Sequence, residues 1–332
     1  STLATEAPTK PPTIPISTPT TPHPAIKPVE ICPSTSELDK VGCLCYKDEQ
    51  YLICDGSKNT LSFEKKYALK TLVIRDSPNL PFWSEHITQN DDFTIESLIV
   101  LQSNGSVTVT ENFNDLLRLP SKTIKIVTAG QIKTLDLSRM RNDLTAISVT
   151  GVPKLVHGAF SSFNLGEEST LVSLRFRNVS FEPVLENLVL NKLPLNVVEI
   201  TNSNLKGNVS VVPSKCPQEE RVVIDLRNNF NLTGFGFADL FQKEPYCNYH
   251  IDLSNNPKLD SEILSNNVDT LKAHGDLMFI HLAGKELDCS CDLYKLYNST
   301  LRNKIHSVKC SNGIGYLDQI VPKSEIEKKV CP

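Results

Sequence analysis

The strongest constraint on the fold is a short apolar pattern that recurs along most of the chain. Its template is an apolar residue, two variable residues, a second apolar residue, one variable residue and a third apolar residue. Nine segments follow this template, three of them with a polar residue at the first position. They begin at Leu69, Ile95, Ser121, Leu144, Leu171, Leu195, Arg221, Asn248 and Leu277. Successive starts lie 23 to 29 residues apart, a period typical of stacked structural repeats. Because an isolated repeat cannot bury its apolar side, we expect each segment to add one strand to a parallel sheet, with template positions one, four and six facing the core.

The 10 cysteines form two clusters of four and one separate pair. Each cluster contains a Cys-x-Cys, whereas zinc ligands usually have two or more residues between them, so the spacing favours disulfides. The clusters are Cys32, Cys43, Cys45 and Cys54, and Cys289, Cys291, Cys310 and Cys331. The pair, Cys216 and Cys247, precedes two consecutive predicted strands by similar distances, which predicts a bridge between adjacent repeats.

Five N-glycosylation acceptors agree with disulfides in predicting an extracellular chain, either secreted or the ectodomain of a cell-surface protein. They are Asn104, Asn178, Asn208, Asn231 and Asn298. No run of about eighteen apolar residues is present that could span a bilayer. We expect that a signal peptide has been removed before Ser1, and a membrane tether could lie outside the given chain, after Pro332.

Residues 1–30 are rich in Pro and Thr and offer little that could be buried. Such a segment cannot offset the entropy cost of ordering, so we predict that it is disordered. A spacer is the expected role, and a mucin-like adhesive tip is the alternative.

The sequence shows no pattern that indicates catalysis or nucleic-acid binding. The formal net charge of −4 gives no basic surface for DNA or RNA, and the common hydrolase, zinc-protease, phosphate-loop and dinucleotide motifs are missing. His250, Asp252 and Ser254 alternate along one predicted strand, with His281 on the next. Parallel columns lack the convergent geometry of a catalytic triad, so we interpret these as surface polar residues. We therefore expect a non-enzymatic protein with no cofactor and no metal.

Several segments resemble extracellular leucine-rich-repeat proteins. IDLSNNPKL at 251–259, IDLRNNFNL at 224–232 and LDLSRM at 135–140 are similar to the repeat consensus, and LTAISVTGVPKLVHGAF at 144–160 is similar to the animal extracellular subclass. The ladder asparagine of the family corresponds to Asn229 and Asn256. The resemblance implies an α/β fold, a right-handed horseshoe solenoid with a concave parallel sheet. Because LDLSRM falls between two of the nine segments, the register around 121–144 stays open.

Both cysteine clusters resemble the caps that close the ends of such solenoids. The resemblance implies Cys32–Cys45 and Cys43–Cys54 in the N-terminal cap, and Cys289–Cys310 and Cys291–Cys331 in the C-terminal cap, whereas spacing alone allows three pairings for each cluster. The predicted organisation is a disordered segment at 1–30, an N-terminal cap at 31–65, about nine repeats at 66–286 and a C-terminal cap at 287–332.

The variable template positions should form columns on the face of the sheet away from the core, with strands about 4.8 Å apart. One column reads Val73, Ile99, Lys125, Ser148, Arg175, Glu199, Asp225, Asp252, His281, and its neighbour reads Arg75, Leu101, Val127, Thr150, Arg177, Thr201, Arg227, Ser254, Ala283.

These columns predict two candidate ligand-binding patches: an apolar strip of Val73, Ile99, Leu101 and Val127, and a charged cluster of Arg175, Arg177, Glu199, Asp225, Arg227 and Asp252. For the charged cluster, solvated charges that neutralise one another are the alternative to a protein-binding patch. A glycan on Asn178 would shield part of it.

The resemblance implies a recognition module that binds a protein ligand or a cell-surface receptor through the concave face or an edge, in adhesion, reception or signalling. Two alternatives stay open. LRFRNVSF at 174–181 is similar to part of an innate-immune co-receptor for lipopolysaccharide, which favours recognition of a lipid or glycan. The Cys-Pro and Cys-x-Cys flank at 32–45 is similar to secreted arthropod repeat proteins, which favours a non-catalytic accessory subunit of a secreted enzyme complex.

Overall fold

The computed structural model describes residues 30–56, 62–63, 67–77, 82–83, 95–103, 117, 121–137, 144–157, 170–217, 221–311, 315–317 and 331. Three predictions fall outside these residues. They concern the segment at 1–30, of which only Glu30 is described, the acceptor Asn104, and residues 158–160 of the stretch that is similar to the animal extracellular subclass.

The described residues form 23 strands and three α-helices. The strands of the first half are β1 (Cys43–Tyr46), β2 (Tyr51–Asp55), β3 (Ser62–Phe63), β4 (Thr71–Arg75), β5 (Phe82–Trp83), β6 (Ile95–Gln102), β7 (Ser121–Thr128), β8 (Thr134–Asp136), β9 (Ala146–Thr150), β10 (Lys154–Val156), β11 (Ser173–Arg177) and β12 (Phe181–Glu182). Those of the second half are β13 (Val189–Leu193), β14 (Val197–Thr201), β15 (Lys206–Pro213), β16 (Val222–Asp225), β17 (Asn231–Phe235), β18 (Tyr249–Asp252), β19 (Met278–His281), β20 (Glu286–Leu287), β21 (Ile305–His306), β22 (Lys309–Cys310) and β23 (Gly315–Tyr316). The helices are α1 (Thr35–Val41), α2 (Val268–His274) and α3 (Cys291–Leu296).

Twelve strands form one sheet in the order β1-β2-β4-β6-β7-β9-β11-β14-β16-β18-β19-β21. The β1–β2 hairpin is antiparallel and the other pairings are parallel. The order rises with the sequence without a reversal, so each new strand is added to the same edge. The nine predicted segments supply the nine strands from β4 to β19 in this order. The structure is therefore α/β, with a large, mostly parallel sheet and few helices.

Strand β11 shows how the template produces this sheet. Leu174 and Phe176 are buried, whereas Arg175 and Arg177 between and after them lie on the other face. Successive side chains of a strand point to opposite faces, so a spacing of two places both apolar residues in the core. The same alternation in neighbouring strands joins the buried side chains into one continuous core.

The expectation for the first template position was wrong in the last three segments. Arg221 and Asn248 are exposed and Leu277 is only half-buried. In these segments the second position is buried instead, because strand alternation places it on the same face as the fourth and sixth positions. The buried residues concerned are Val222, Tyr249 and Met278.

The described part of LDLSRM, residues 135–137, does not belong to the large sheet. Its Leu135 lies in β8 and pairs with Leu155 of β10, in a separate parallel sheet of order β12-β10-β8. Strands β7 and β9 are direct neighbours in the large sheet, with Ile124 opposite Ile147. This pairing defines the register around 121–144. The buried Leu135 side chain contributes to the same core from the smaller sheet.

Five disulfides include all ten cysteines. The bonds are Cys32–Cys45, Cys43–Cys54, Cys216–Cys247, Cys289–Cys310 and Cys291–Cys331. Four of them are the pairings that the family resemblance implies, and Cys216–Cys247 is the predicted bridge between segments that precede the neighbouring strands β16 and β18. Disulfides of this number are typical of an oxidising compartment. None of the helices in the described part of the chain has the length and apolar character needed to cross a membrane.

Candidate functional site

The strand registers bring the predicted columns together on one face of the large sheet. In the first column each residue is registered with the next, in the order Val73, Ile99, Lys125, Ser148, Arg175, Glu199, Asp225, Asp252 and His281. The second is registered in the order Arg75, Leu101, Val127, Thr150, Arg177 and Thr201. Side chains many residues apart in sequence are thus direct neighbours across the sheet.

The apolar strip is less accessible than the sequence predicts. Val73 is only 5% exposed, because Ile53 on one side and Ile99 on the other flank it in the same column. Ile99, Leu101 and Val127 are half-buried. Val73 is therefore not available as an exposed contact, and the other three residues offer a partly covered apolar surface.

Glu199 is the centre of one half of the charged cluster. Its side chain is 8% exposed, and both carboxylate oxygens accept hydrogen bonds from Arg177, one from Nε and the other from Nη2 at 2.7 Å. Arg175 approaches the same carboxylate at 4.0 Å. Hydrogen bonding to Glu199 raises the pKa of Arg177 above its usual value, as expected for a guanidinium paired with a carboxylate.

Arg227 is the centre of the other half. Its Nε and Nη2 donate to the two oxygens of Asp225 at 2.9 and 2.7 Å, and its Nε lies 3.5 Å from an Asp252 oxygen. Hydrogen bonding to Asp225 raises the pKa of Arg227. The side chain of Arg227 thus separates two carboxylates that are neighbours in the column.

The charged cluster therefore contains three arginines and three acids that largely satisfy one another. This arrangement has little net charge, and a partner must compete with existing ion pairs. Arg175 is the exception, since the 4.0 Å contact with Glu199 is its one ion pair in the described structure. The three arginine side chains are similarly exposed, so Arg175 is distinguished by its weaker ion pairing. Of the cluster, Arg175 is the cation best placed to contact a ligand.

We expect the Arg177–Glu199 pair to stabilise the folded protein measurably. A double-mutant cycle of Arg177→Ala and Glu199→Gln should give a coupling free energy of about 1 kcal/mol or more, because one partner is buried and the contact is bidentate. Denaturant unfolding of the four proteins measures it. The control cycle is Lys154→Ala with Glu182→Gln, an exposed pair at 2.7 Å, which should give about 0.5 kcal/mol or less. Equal coupling in both cycles would contradict the assigned role of Glu199.

The structure also assembles a group of rings that the sequence analysis missed. His250, Phe279, His281 and His306 lie side by side on the same face, with ring centroids 4.6 to 5.5 Å apart. We call these four residues the imidazole ladder. The sequence predicted His250 and His281 only as separate surface residues. His306 lies 25 residues after His281, about one period of the apolar pattern, and extending the column by one period would have found it.

Four of the predicted glycan acceptors are described. Asn178, Asn208 and Asn298 are exposed, and Asn231 is half-buried with its side-chain oxygen accepting a hydrogen bond from Lys258. Asn178 and Asn231 line one groove of about 560 Å³ together with Phe230, which is 68% exposed. A glycan on either residue would occupy the edge of the sheet at this groove.

Comparison with protein-family models, curated protein sequences and solved structures finds no match to this chain. The functional argument therefore depends on the geometry of the sheet face. In the described part of the chain, no three His, Cys, Asp or Glu side chains are arranged to hold a metal ion.

Proposed function

We propose that this chain is an extracellular recognition module of the leucine-rich-repeat type, a solenoid that binds a protein ligand through the charged face of its large sheet without catalysing a reaction. The observation that carries the proposal is the registered columns on that face. They present an ordered array of side chains over many strands, and such a rigid surface suits macromolecular recognition.

The repeat geometry supports the leucine-rich-repeat part of the proposal. Strand order follows the sequence, and registered partners are about one repeat apart, as Glu199 and Asp225 are. The predicted ladder residues also contact each other: the Asn229 backbone N–H donates to Asn256 Oδ1 at 2.7 Å, and both side chains are fully buried. A hydrogen-bonded row of buried asparagines is what stacked turns require to satisfy their inward-facing backbone groups.

The charged cluster supports a protein ligand. Its ion pairs hold the Arg177 and Arg227 side chains in defined positions, which reduces the entropy that these two lose when a partner binds. Arg175 can contact a partner without giving up a close ion pair. Arginine is also enriched where single residues dominate binding energy. Because Arg175 is the cation least engaged within the cluster, we place the main contact there.

A binding experiment tests this assignment. The glycosylated chain is used to capture ligands from cell-surface and secreted proteins, with identification by mass spectrometry, and the affinity of each captured ligand is then measured with purified proteins at neutral pH. Arg175→Ala should weaken saturable binding by about tenfold or more, the loss of one well-placed contact. Lys206→Ala serves as a control, because Lys206 is a comparably exposed cation in the separate sheet that contains β15 and pairs with Glu186.

Undiminished binding by Arg175→Ala would place the interface elsewhere. Saturable binding of a lipid or glycan in preference to protein would favour the innate-recognition alternative, and stoichiometric co-purification with an enzyme would favour the accessory-subunit alternative.

A further inference from the structure

The imidazole ladder continues the carboxylate column of the charged cluster. Across β16, β18, β19 and β21, the first column reads Asp225, Asp252, His281 and His306. The His281 ring stacks on His306 at 5.4 Å and lies 5.5 Å from His250. Three titratable rings thus form one line across three neighbouring strands, and all are half-buried.

Phe279 fills the space beside this line. Its ring contacts all three imidazoles, at 5.4 Å from His250, 5.3 Å from His281 and 4.6 Å from His306. The ladder is therefore an uncharged aromatic surface when the histidines are neutral. Protonation of its imidazoles adds positive charge around an apolar ring.

The charged groups around the ladder come from each neighbouring strand. Asp252 of β18 faces His281 and attracts its proton, whereas His250, His306 and Arg227 repel it. Burial is the largest influence, and it lowers the pKa of His281 below that of an ordinary histidine. Lys304 precedes β21, and its Nζ donates to the Asp276 carbonyl oxygen. His306 Nε2 lies 3.3 Å from the Asn303 carbonyl oxygen.

These environments define the direction of the pH response. An ordinary histidine is neutral above and protonated below a pH of about 6.5. His281 is protonated at a lower pH than an unperturbed histidine, because burial and the neighbouring cations oppose its positive charge. Histidine side chains in general gain positive charge as the pH falls from about 7 to about 5. The acid that favours the charged form of His281 is Asp252, which is already shared with Arg227.

We propose that the imidazole ladder is a second binding site on this face, which takes an acidic polypeptide segment when its histidines are protonated. The proposal depends on the proposed function only in assuming that this face is open to a macromolecule. Complementary charge selects carboxylates. The spacing accommodates an extended peptide, because its alternate side chains lie on one side about 6.6 Å apart, about 1 Å more than the 5.4 and 5.5 Å between successive imidazoles. Phe279 provides an apolar contact for the aliphatic part of the bound side chains.

The test uses the whole chain and a short oligo-aspartate peptide as the probe, since aspartate stays mostly ionised at a pH of about 5. Affinity is measured calorimetrically at low salt, at pH values of about 7.5 and about 5. We expect binding to be at least about tenfold tighter at the lower pH and to weaken as salt is added. Equal affinity at the two pH values would overturn the proposal.

The variant His250→Gln/His281→Gln/His306→Gln should lose this pH dependence. The matched control is His274→Gln, because His274 is also half-buried and stacked on an aromatic ring, Phe241 at 4.2 Å, but belongs to a different cluster. Circular dichroism checks that both variants are folded at each pH. If the triple variant does not fold, His306→Gln alone should reduce the gain in affinity at low pH. An unchanged gain in a folded ladder variant would overturn the proposal.

Two further measurements distinguish a peptide site at the ladder from a general anion site and from the contact at Arg175. Tighter binding of a heparin-derived oligosaccharide than of oligo-aspartate at low pH would overturn the assignment to a polypeptide. At about 0.15 M salt, Arg175→Ala should leave oligo-aspartate binding within about twofold, because Arg175 is three strands away from the nearest ladder strand, further than the screening length of about 8 Å. The two proposals are then tested independently. Arg175→Ala tests ligand binding at neutral pH, and the ladder variant tests binding that depends on acid.

Discussion

Gly151→Ala is expected to destabilise the protein by about 3 kcal/mol or more, through two effects that act together. Gly151 follows β9 with a φ of +77°, a conformation that residues with a side chain rarely adopt. A Cβ at this position would lie 1.8 Å from the Thr128 carbonyl oxygen. That oxygen belongs to the backbone of the neighbouring strand β7, so the clash can be relieved only by moving β7 or β9.

Gly130 provides a matched control for the backbone conformation alone. It also has a positive φ, +92°, but a Cβ there meets nothing within 4 Å. Gly130→Ala should therefore cost about 1 to 2 kcal/mol, the strain of the left-handed backbone without a clash. Denaturant unfolding followed by circular dichroism compares the two variants. Equal destabilisation would show that β7 and β9 do not approach each other as closely at Gly151 as the structure has them.

The second large effect is expected at Asn229, the buried asparagine that follows β16. Asn229 Nδ2 donates to the carbonyl oxygens of Ile200 and Leu226 at 2.6 and 2.9 Å, and its Oδ1 accepts from the Ser203 backbone N–H at 3.1 Å. The side chain is fully buried. Asn229→Ala removes the side-chain partner of the Ile200 carbonyl oxygen and of the Ser203 N–H in a region away from water, whereas the Leu226 oxygen keeps the hydrogen bond from Asn256 Nδ2 at 3.0 Å. The loss should cost about 3 kcal/mol.

The isosteric change Asn229→Asp is expected to cost more than Asn229→Ala. A carboxylate has no donor for the two carbonyl oxygens, and its negative charge would be buried against them. Asn266→Ala is the control, because Asn266 is exposed and its side chain makes only a 3.4 Å contact with Glu262; it should change stability by about 0.5 kcal/mol or less. Hydrogen exchange should also show faster exchange of the Ser203 amide in the Asn229 variants. Equal unfolding free energies for Asn229→Ala and Asn266→Ala would refute the structural role of Asn229.

Much of the sheet could be predicted from the apolar spacing because each strand contacts mainly its neighbours in sequence order. The triplet around Leu174 and Phe176 encodes both a strand and the side that it buries. Columns such as Arg175, Glu199 and Asp225 follow from adding one period at a time. The exception was LDLSRM, which has the right local pattern but pairs in the smaller sheet through Leu135. The local apolar pattern specifies a buried strand, but it does not specify the sheet to which that strand belongs.

The details of the candidate sites were less predictable, because they depend on side-chain conformation. The sequence predicts that Arg175, Arg177 and Arg227 lie near three acids. It does not predict which arginine binds which acid: Arg177 binds Glu199 through two nitrogens, whereas Arg175 stays 4.0 Å from it. Nor does it show that Val73 is covered by its column neighbours.

The repeat period, the buried triplets and the order of the side-chain columns are encoded in the chain because they depend on residues one period apart. Burial of Val73, the division of ion pairs among the arginines and the contact of His306 with the other rings emerge only when the strands are assembled. The physical reason is that long side chains on a packed face have several rotamers of similar energy, and the neighbours on adjacent strands select among them.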